Sequence, residues 1–134
     1  MFARYGLTAE RLAASLAAAL QQGDGLVVAE DDAAPSGPTP VGLAWYLPRG
    51  TFYHSAYLRL LVVSSRATGK GVGGALMDAV EDLVFRKVRD LFALVNTENV
   101  GAQRFYERRG YRCVGRLDDY VGPGLDEFIY RKRR

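Results

Sequence analysis

The feature that most constrains the fold is a stretch of backbone almost without side chains. Gly69, Gly71, Gly73 and Gly74 fall within six residues, directly after the apolar run Leu61-Val62-Val63 and directly before a helix pattern. In that helix Leu76, Met77, Val80, Leu83 and Val84 share one face, Asp78, Glu81 and Asp82 lie largely on the other, and the pattern runs to about Val88. A strand, a glycine turn and a helix in succession bring unsatisfied N–H groups and the positive end of a helix dipole to one place. Bare backbone lets an anion come close there, so the turn suits a phosphate. Glycines also serve tight turns and close packing, and the turn alone leaves both readings open. A Walker-type triphosphate loop needs Lys-Ser or Lys-Thr after its last glycine, whereas Gly73 is followed by Gly74-Ala75. A Rossmann site needs a buried parallel βαβ unit near the N-terminus, and none is seen.

The rest of the chain surrounds this unit with short elements. Leu12, Leu16 and Leu20 recur at four-residue spacing among alanines, which predicts an amphipathic helix over Leu7–Gln22 with Thr8 as N-cap and Gly23 as its end. Leu26–Ala29 reads as a buried strand running into Glu30, Asp31 and Asp32, and Ala33–Pro40 as a loop. Val41–Leu47 and Tyr57–Val63 read as two more strands, with a turn at Pro48-Arg49-Gly50, so that the three make an antiparallel meander. Beyond the long helix come an apolar strand at Leu91–Val95 and a shorter helix at Asn99–Arg109 closed by Gly110. Two last strands, near Tyr111–Leu117 and Leu125–Arg131, are joined by a turn holding Gly122, Pro123 and Gly124. The expectation is one mixed α/β domain over 1–134.

Length and composition bound the function. The chain has 134 residues, 49% apolar and 25% charged, which fits one compact domain. No apolar run approaches the roughly 18 residues that span a bilayer, and no secretory leader is recognisable, so the expected compartment is cytoplasmic. Cys113 is the only cysteine and no Cys/His cluster has zinc spacing, so neither an internal disulfide nor a metal site is expected. The net charge is +3, and Arg131, Lys132, Arg133 and Arg134 could contact nucleic-acid phosphate or form a solvated tail. Four cations without a recognised binding module make nucleic acid a subordinate reading.

A second segment carries the identification further: Asn99-Val100-Gly101-Ala102-Gln103-Arg104-Phe105-Tyr106-Glu107-Arg108-Arg109-Gly110-Tyr111. With the glycine turn it resembles the GNAT superfamily of N-acetyltransferases, in particular its short bacterial members. The family's coenzyme turn is Gln or Arg, two residues, Gly, one residue, Gly or Ala. Counted from the helix, Gly71 and Gly73 take the glycine positions and Thr68 stands where Gln or Arg is usual. Arg66-Ala67-Thr68-Gly69-Lys70-Gly71 fits the same text two residues too early. The family's second motif is Asn, two residues, Ala, two residues, Phe-Tyr, three residues, Gly-Phe or Gly-Tyr, and every fixed position is matched. The resemblance implies a GNAT-like, mostly antiparallel twisted sheet flanked by helices. It runs from about Leu26 to the C-terminus, and the family's first strand and helix are not recognisable ahead of Leu7. It also implies that the missing sheet edge and part of the acceptor site are either absent or supplied by a second copy in a homodimer.

The same resemblance implies a chemistry: acetyl-coenzyme A as co-substrate and transfer of its acetyl group to a primary amine of a small molecule, peptide or protein. Backbone N–H groups of Gly69, Lys70, Gly71, Val72, Gly73 and Gly74, beside Thr68, would hold the pyrophosphate. The strand at Leu61, Val62 and Val63 would pair with the pantetheine amides, with the Leu61 N–H facing the thioester oxygen where a fixed donor stabilises an oxyanion. Asn99 would contact the pantetheine arm and Tyr106 would donate to the departing sulfur. The attacking amine must be neutral, which calls for a base. Family carboxylate positions fall here on Tyr57 and Leu94, leaving Glu98, Asp118 and Asp119 as substitutes. An acidic group of Asp118, Asp119, Asp126 and Glu127 around the last hairpin would favour a cationic acceptor. His54, Trp45 and Tyr46 are either pocket residues or packing. The rival reading is a GNAT-like fold that binds an acyl-coenzyme A without turnover, as a sensor or interaction domain.

Overall fold

The computed structural model describes residues 9–134. A helix, α1 (Ala9–Gln21), leads into strands β1 (Gly25–Asp31), β2 (Thr39–Thr51) and β3 (Ser55–Val63); the start of the predicted helix and its Thr8 cap lie outside the described residues. After a single 3-10 turn at Ser65–Ala67 come helix α2 (Val72–Phe85), strand β4 (Asp90–Asn96) and helix α3 (Val100–Arg108). Strands β5 (Arg112–Gly122) and β6 (Leu125–Arg133) close the chain. The six strands form one sheet in the order β1-β2-β3-β4-β6-β5, antiparallel throughout except for β3 against β4. This is the mixed, mostly antiparallel sheet with flanking helices expected from the sequence.

The core lies between one face of the sheet and α2. Leu76, Met77, Val80 and Val84 of the helix pack with Ala44, Ala56, Leu58, Leu91, Ala93 and Val95 of the strands. Full burial of each large aliphatic side chain contributes roughly 1.5–3 kcal/mol. Tyr106, Tyr111 and Tyr130 extend the same core toward α3 and the last strands, the first two rings 5.2 Å apart and edge to face.

Three expectations are corrected. Pro48-Arg49-Gly50 is not a turn but part of β2; the chain reverses at Phe52 and Tyr53, both in the left-handed region at φ 52° and 66°. Gly50 lets the two strands converge there, since a Cβ on it would lie 2.8 Å from the Cβ atoms of Leu47 and Tyr57. On α2 the buried stripe is centred between Met77 and Val84, so Leu83 is exposed and Glu81, assigned to the polar face, is buried. Glu81 accepts hydrogen bonds from the Tyr111 hydroxyl at 2.9 Å, Arg109 at 2.8 Å and Lys132 at 3.1 Å. The basic C-terminus is not a solvated tail. Arg131 and Arg133 both reach Asp90, Lys132 reaches Glu81, and Arg134 donates to the Phe85 carbonyl, so these cations close β6 onto its neighbours.

Candidate active site

The sheet is opened by one extra residue. Across the β2–β3 ladder Trp45 pairs with Leu60 and Tyr46 with Leu58, which leaves Arg59 as a bulge on β3. A bulge bends its strand and inverts the alternation of side chains beyond it. The parallel pairing of β3 with β4 ends at the bulge, its last pair being Leu58 with Ala93. From Arg59 to Val63 the outer edge of β3 therefore faces a gap instead of β4, and half of its peptide groups point into that gap. The resulting cleft encloses about 1010 Å³ and runs from the glycine turn through the split sheet to the face carrying α1.

The glycine turn forms one end of the cleft. Gly69 and Gly71 both sit at φ 79°, a conformation that side chains resist, and a Cβ on either would meet no atom within 4 Å. Gly71 caps α2, and its carbonyl accepts from the Ala75 N–H at 3.0 Å, so the N–H groups of Val72, Gly73 and Gly74 have no partner within the helix. A Cβ on Gly73 would lie 3.6–3.7 Å from the Phe105 ring and Val63, within ordinary contact. Thr68 lines the same end while its hydroxyl donates to the Ser64 carbonyl at 3.2 Å. Leu61, Val63 and Asn99 also line the cleft. Val62 does not, and Lys70 lines a separate recess of about 350 Å³ with Arg66, Glu30 and Asp31.

Helix α3 supplies the opposite wall. Asn99 is its N-cap, accepting from the Ala102 N–H at 3.1 Å, and Gly110 ends it at φ 89°. Tyr106 is buried yet lines the cleft. Burial pushes its phenol above the ordinary tyrosine range, nearby Tyr57 adds to this and Arg109 opposes it. The group therefore stays protonated and can act as a donor. Its neighbours Tyr111 and Tyr130 instead commit their hydroxyls to Glu81 and Glu107, each at 2.9 Å.

Beyond the split, on the face away from α2, the cleft continues as a recess lined by Trp45, Tyr57, Arg59, Leu94, Asn96 and Glu127. The Arg59 guanidinium lies 4.7 Å from the centre of the Trp45 ring, whose indole N–H donates to Asp24 at 2.8 Å. Of the four acidic residues in the hairpin group, only Glu127 lines the recess, 4% exposed. Asp118 and Asp126 both bind Arg116, at 2.7 and 2.6 Å, and Asp126 also accepts the Asp119 N–H. Asp119 in turn accepts the Gly124 N–H at 2.7 Å. Those three side chains build the hairpin. His54 is exposed at the β2–β3 tip and, like Tyr46 and Glu98, does not line the cleft.

Residues 3–111 match the acetyltransferase (GNAT) family. The chain belongs to the GNAT family. A curated relative, an uncharacterized N-acetyltransferase of Methanocaldococcus jannaschii, is 33% identical over 76 residues, which are 55% of this chain and 49% of that protein. The chain thus matches about half the length of that relative. Among solved structures, the ribosomal-protein-alanine N-acetyltransferase of Brucella melitensis is similar at TM-score 0.74 and 27% identity, over 96% of this chain and 80% of that one. A GNAT-family acetyltransferase of Elizabethkingia anophelis, solved with acetyl-CoA bound, shares the fold at TM-score 0.74 and 14% identity, over 90% and 82% of the two chains.

Within this GNAT domain, the two motifs come together on facing walls of one cleft although about thirty residues separate them. Sequence reasoning missed the Arg59 bulge, Asn96 and the inward position of Glu127. The last was within reach, because adjacent residues on a strand face opposite sides and Asp126 and Glu127 could not both belong to one solvated cluster.

Proposed function

We propose that this single domain is an acetyl-CoA-dependent N-acetyltransferase that acts on a primary amine by direct attack. The observation that carries this is the cleft itself, which joins a helix N-terminus of bare glycines to an unpaired strand edge. An open space over Gly69 and Gly71 with three unpartnered N–H groups fits a pyrophosphate, and the free edge of β3 fits an extended arm bearing amides. The coenzyme, when bound, supplies the thioester to be attacked. Leu61 at the split offers its N–H to the carbonyl oxygen that becomes negative, Asn99 borders the arm, and Tyr106 donates to the departing sulfur. A protonated phenol suits that last role.

For the acceptor, an α-amino group of a peptide or protein is favoured over a side-chain ammonium. The Brucella melitensis relative is named for that kind of acceptor. An α-amine, at a pKa near 7.7–8.0, is also far more often neutral at pH 7 than a lysine-like amine near 10.4. The decisive experiment measures acetyl-CoA binding by calorimetry and thiol release with alanyl peptides, amino acids, polyamines and aminoglycosides. Binding with thiol release to at least one amine is expected. Tight binding with no release to any of them would move the chain to the non-catalytic, acyl-CoA-sensing class.

A further inference from the structure

We propose that Glu127 on β6 is the base that takes the proton from the acceptor ammonium, a catalytic residue displaced by one strand from the place where relatives of this sequence pattern carry a carboxylate. The inference rests on the transfer reading above and names the residue which that reading leaves open. Leu94 occupies the expected place on β4 and is apolar. Its near neighbour Asn96 pairs directly with Glu127 across the β4–β6 ladder, which puts the glutamate on the same face of the sheet as Leu94 and Asn96. Phe128 and Tyr130, on the alternate positions, pack into the core. Glu127 is therefore a buried carboxylate in the wall of the recess, past the split that leads to Leu61 and Tyr106.

The titratable groups around it come from three elements. Tyr57 and Arg59 project from β3, Tyr120 from β5 and Tyr106 from α3. Tyr57 lies within electrostatic reach of Arg59, Tyr120 and Glu127, and Tyr106 lies within reach of Tyr57. One cleft thus carries in its lining the Glu127 carboxylate and the protonated phenol of Tyr106, with Tyr57 beside them. Two groups with opposite proton tasks are what amine transfer needs.

The step balances as follows. The acceptor enters as R–NH3+ and gives one proton to the Glu127 carboxylate. Its freed lone pair forms the C–N bond to the thioester carbonyl carbon, and the C–S bond breaks. The second proton leaves nitrogen and ends on the coenzyme sulfur, giving amide and thiol. Glu127 then releases its proton to solvent.

The test compares wild type with Glu127→Gln, which keeps shape and size, and with Glu127→Asp. The amines are an alanyl tetrapeptide, spermidine, glycine, and hydroxylamine, which is already neutral at pH 7. With the best ammonium acceptor, Glu127→Gln should lower kcat/KM at pH 7 by about a hundredfold. The wild-type profile should be level between the carboxyl and amine pKa values, while Glu127→Gln should climb about tenfold per pH unit until the amine is neutral. Glu127→Asp should recover part of the loss, hydroxylamine should be used about equally by all forms, and acetyl-CoA affinity should not move. The peptide, titrated calorimetrically into protein saturated with coenzyme A, should bind several-fold more weakly to Glu127→Gln. Parallel pH profiles, an equal loss with hydroxylamine, or a wild type that uses hydroxylamine but no ammonium acceptor would overturn the proposal. If Glu127→Gln fails to fold, Glu127→Met, which likewise has no group that can take a proton, is measured in its place and its pH profile decides in the same way. A wild type that binds acetyl-CoA but releases no thiol with any amine instead removes the transfer reading beneath it.

Discussion

Two glutamates are buried in this domain, and they occupy opposite faces of the same sheet. Glu81 sits among Arg109, Lys132 and the Tyr111 hydroxyl, all within 3.1 Å, on the side of α2. Burial and then Glu81 itself push the Tyr111 phenol far above its ordinary range. Three donors thus converge on the Glu81 carboxylate, and one of them, Arg109, is shared with Asp78 at 2.6 Å. Glu127 is as well buried, but it borders a recess walled by tyrosines, an arginine and apolar side chains. Equal burial therefore does not imply equal purpose. Glu81 ties α2 to Arg109 at the end of α3 and to β6, whereas access to a cleft marks a carboxylate that can meet a substrate.

The contrast can be broken most forcefully at Glu81. Glu81→Ala leaves Arg109 and Lys132 without their shared partner, so unfolding in urea should show a loss of about 3–5 kcal/mol and the melting temperature should fall by about 10 °C. A loss below about 1 kcal/mol would mean that the cluster is no tie at all. Next in size is Tyr106→Phe. It removes only the hydroxyl that lines the cleft, so kcat should fall by about a hundredfold while stability and acetyl-CoA affinity stay close to wild type. Full turnover would leave Tyr106 as a core aromatic like Tyr111.

Smaller effects sharpen the picture at the glycine turn and the hairpin. Gly71→Val would mix lost binding with backbone strain, because Gly71 is at φ 79°. Gly73 is helical and its Cβ would reach Phe105 at an ordinary 3.6 Å, so Gly73→Ala isolates the coenzyme effect. Calorimetry should show acetyl-CoA affinity lowered by about tenfold, with stability unchanged or raised by up to about 1 kcal/mol. The smallest change is expected from Asp118→Asn with Asp119→Asn, since those carboxylates bind Arg116 and the Gly124 N–H rather than face the recess. The acceptor KM should stay within about twofold, and a larger rise would return the hairpin to the acceptor site.

What the sequence disclosed follows from how demanding each position is. The glycine turn was legible because left-handed backbone at Gly69 and Gly71 excludes nearly every other residue, and the α3 motif because its N-cap, aromatic pair and closing glycine stand at fixed spacing. Strand identities were legible from apolar runs. The hairpin reversal was not, because Pro48, Arg49 and Gly50 have turn chemistry while Phe52 and Tyr53, which make the turn, do not. Glu81 was misassigned because a charged residue on a helix reads as solvent-facing until the cations that surround it, brought from α3 and β6, are known. The Arg59 bulge has no residue signature at all, since an arginine among leucines is compatible with either register.

That bulge has a genetic meaning. The difference between a continuous sheet and one with a passage through it is here the presence of one codon. Loss of Arg59 in frame would let β3 zip onto β4 beyond Leu58 and would turn Leu61 and Val63 from the α2 face to the other. No substitution at the same position has that reach, because a bulge is a count of residues and not a choice among them. The opening is therefore set by strand length and register, so only an insertion or deletion in β3 can close it.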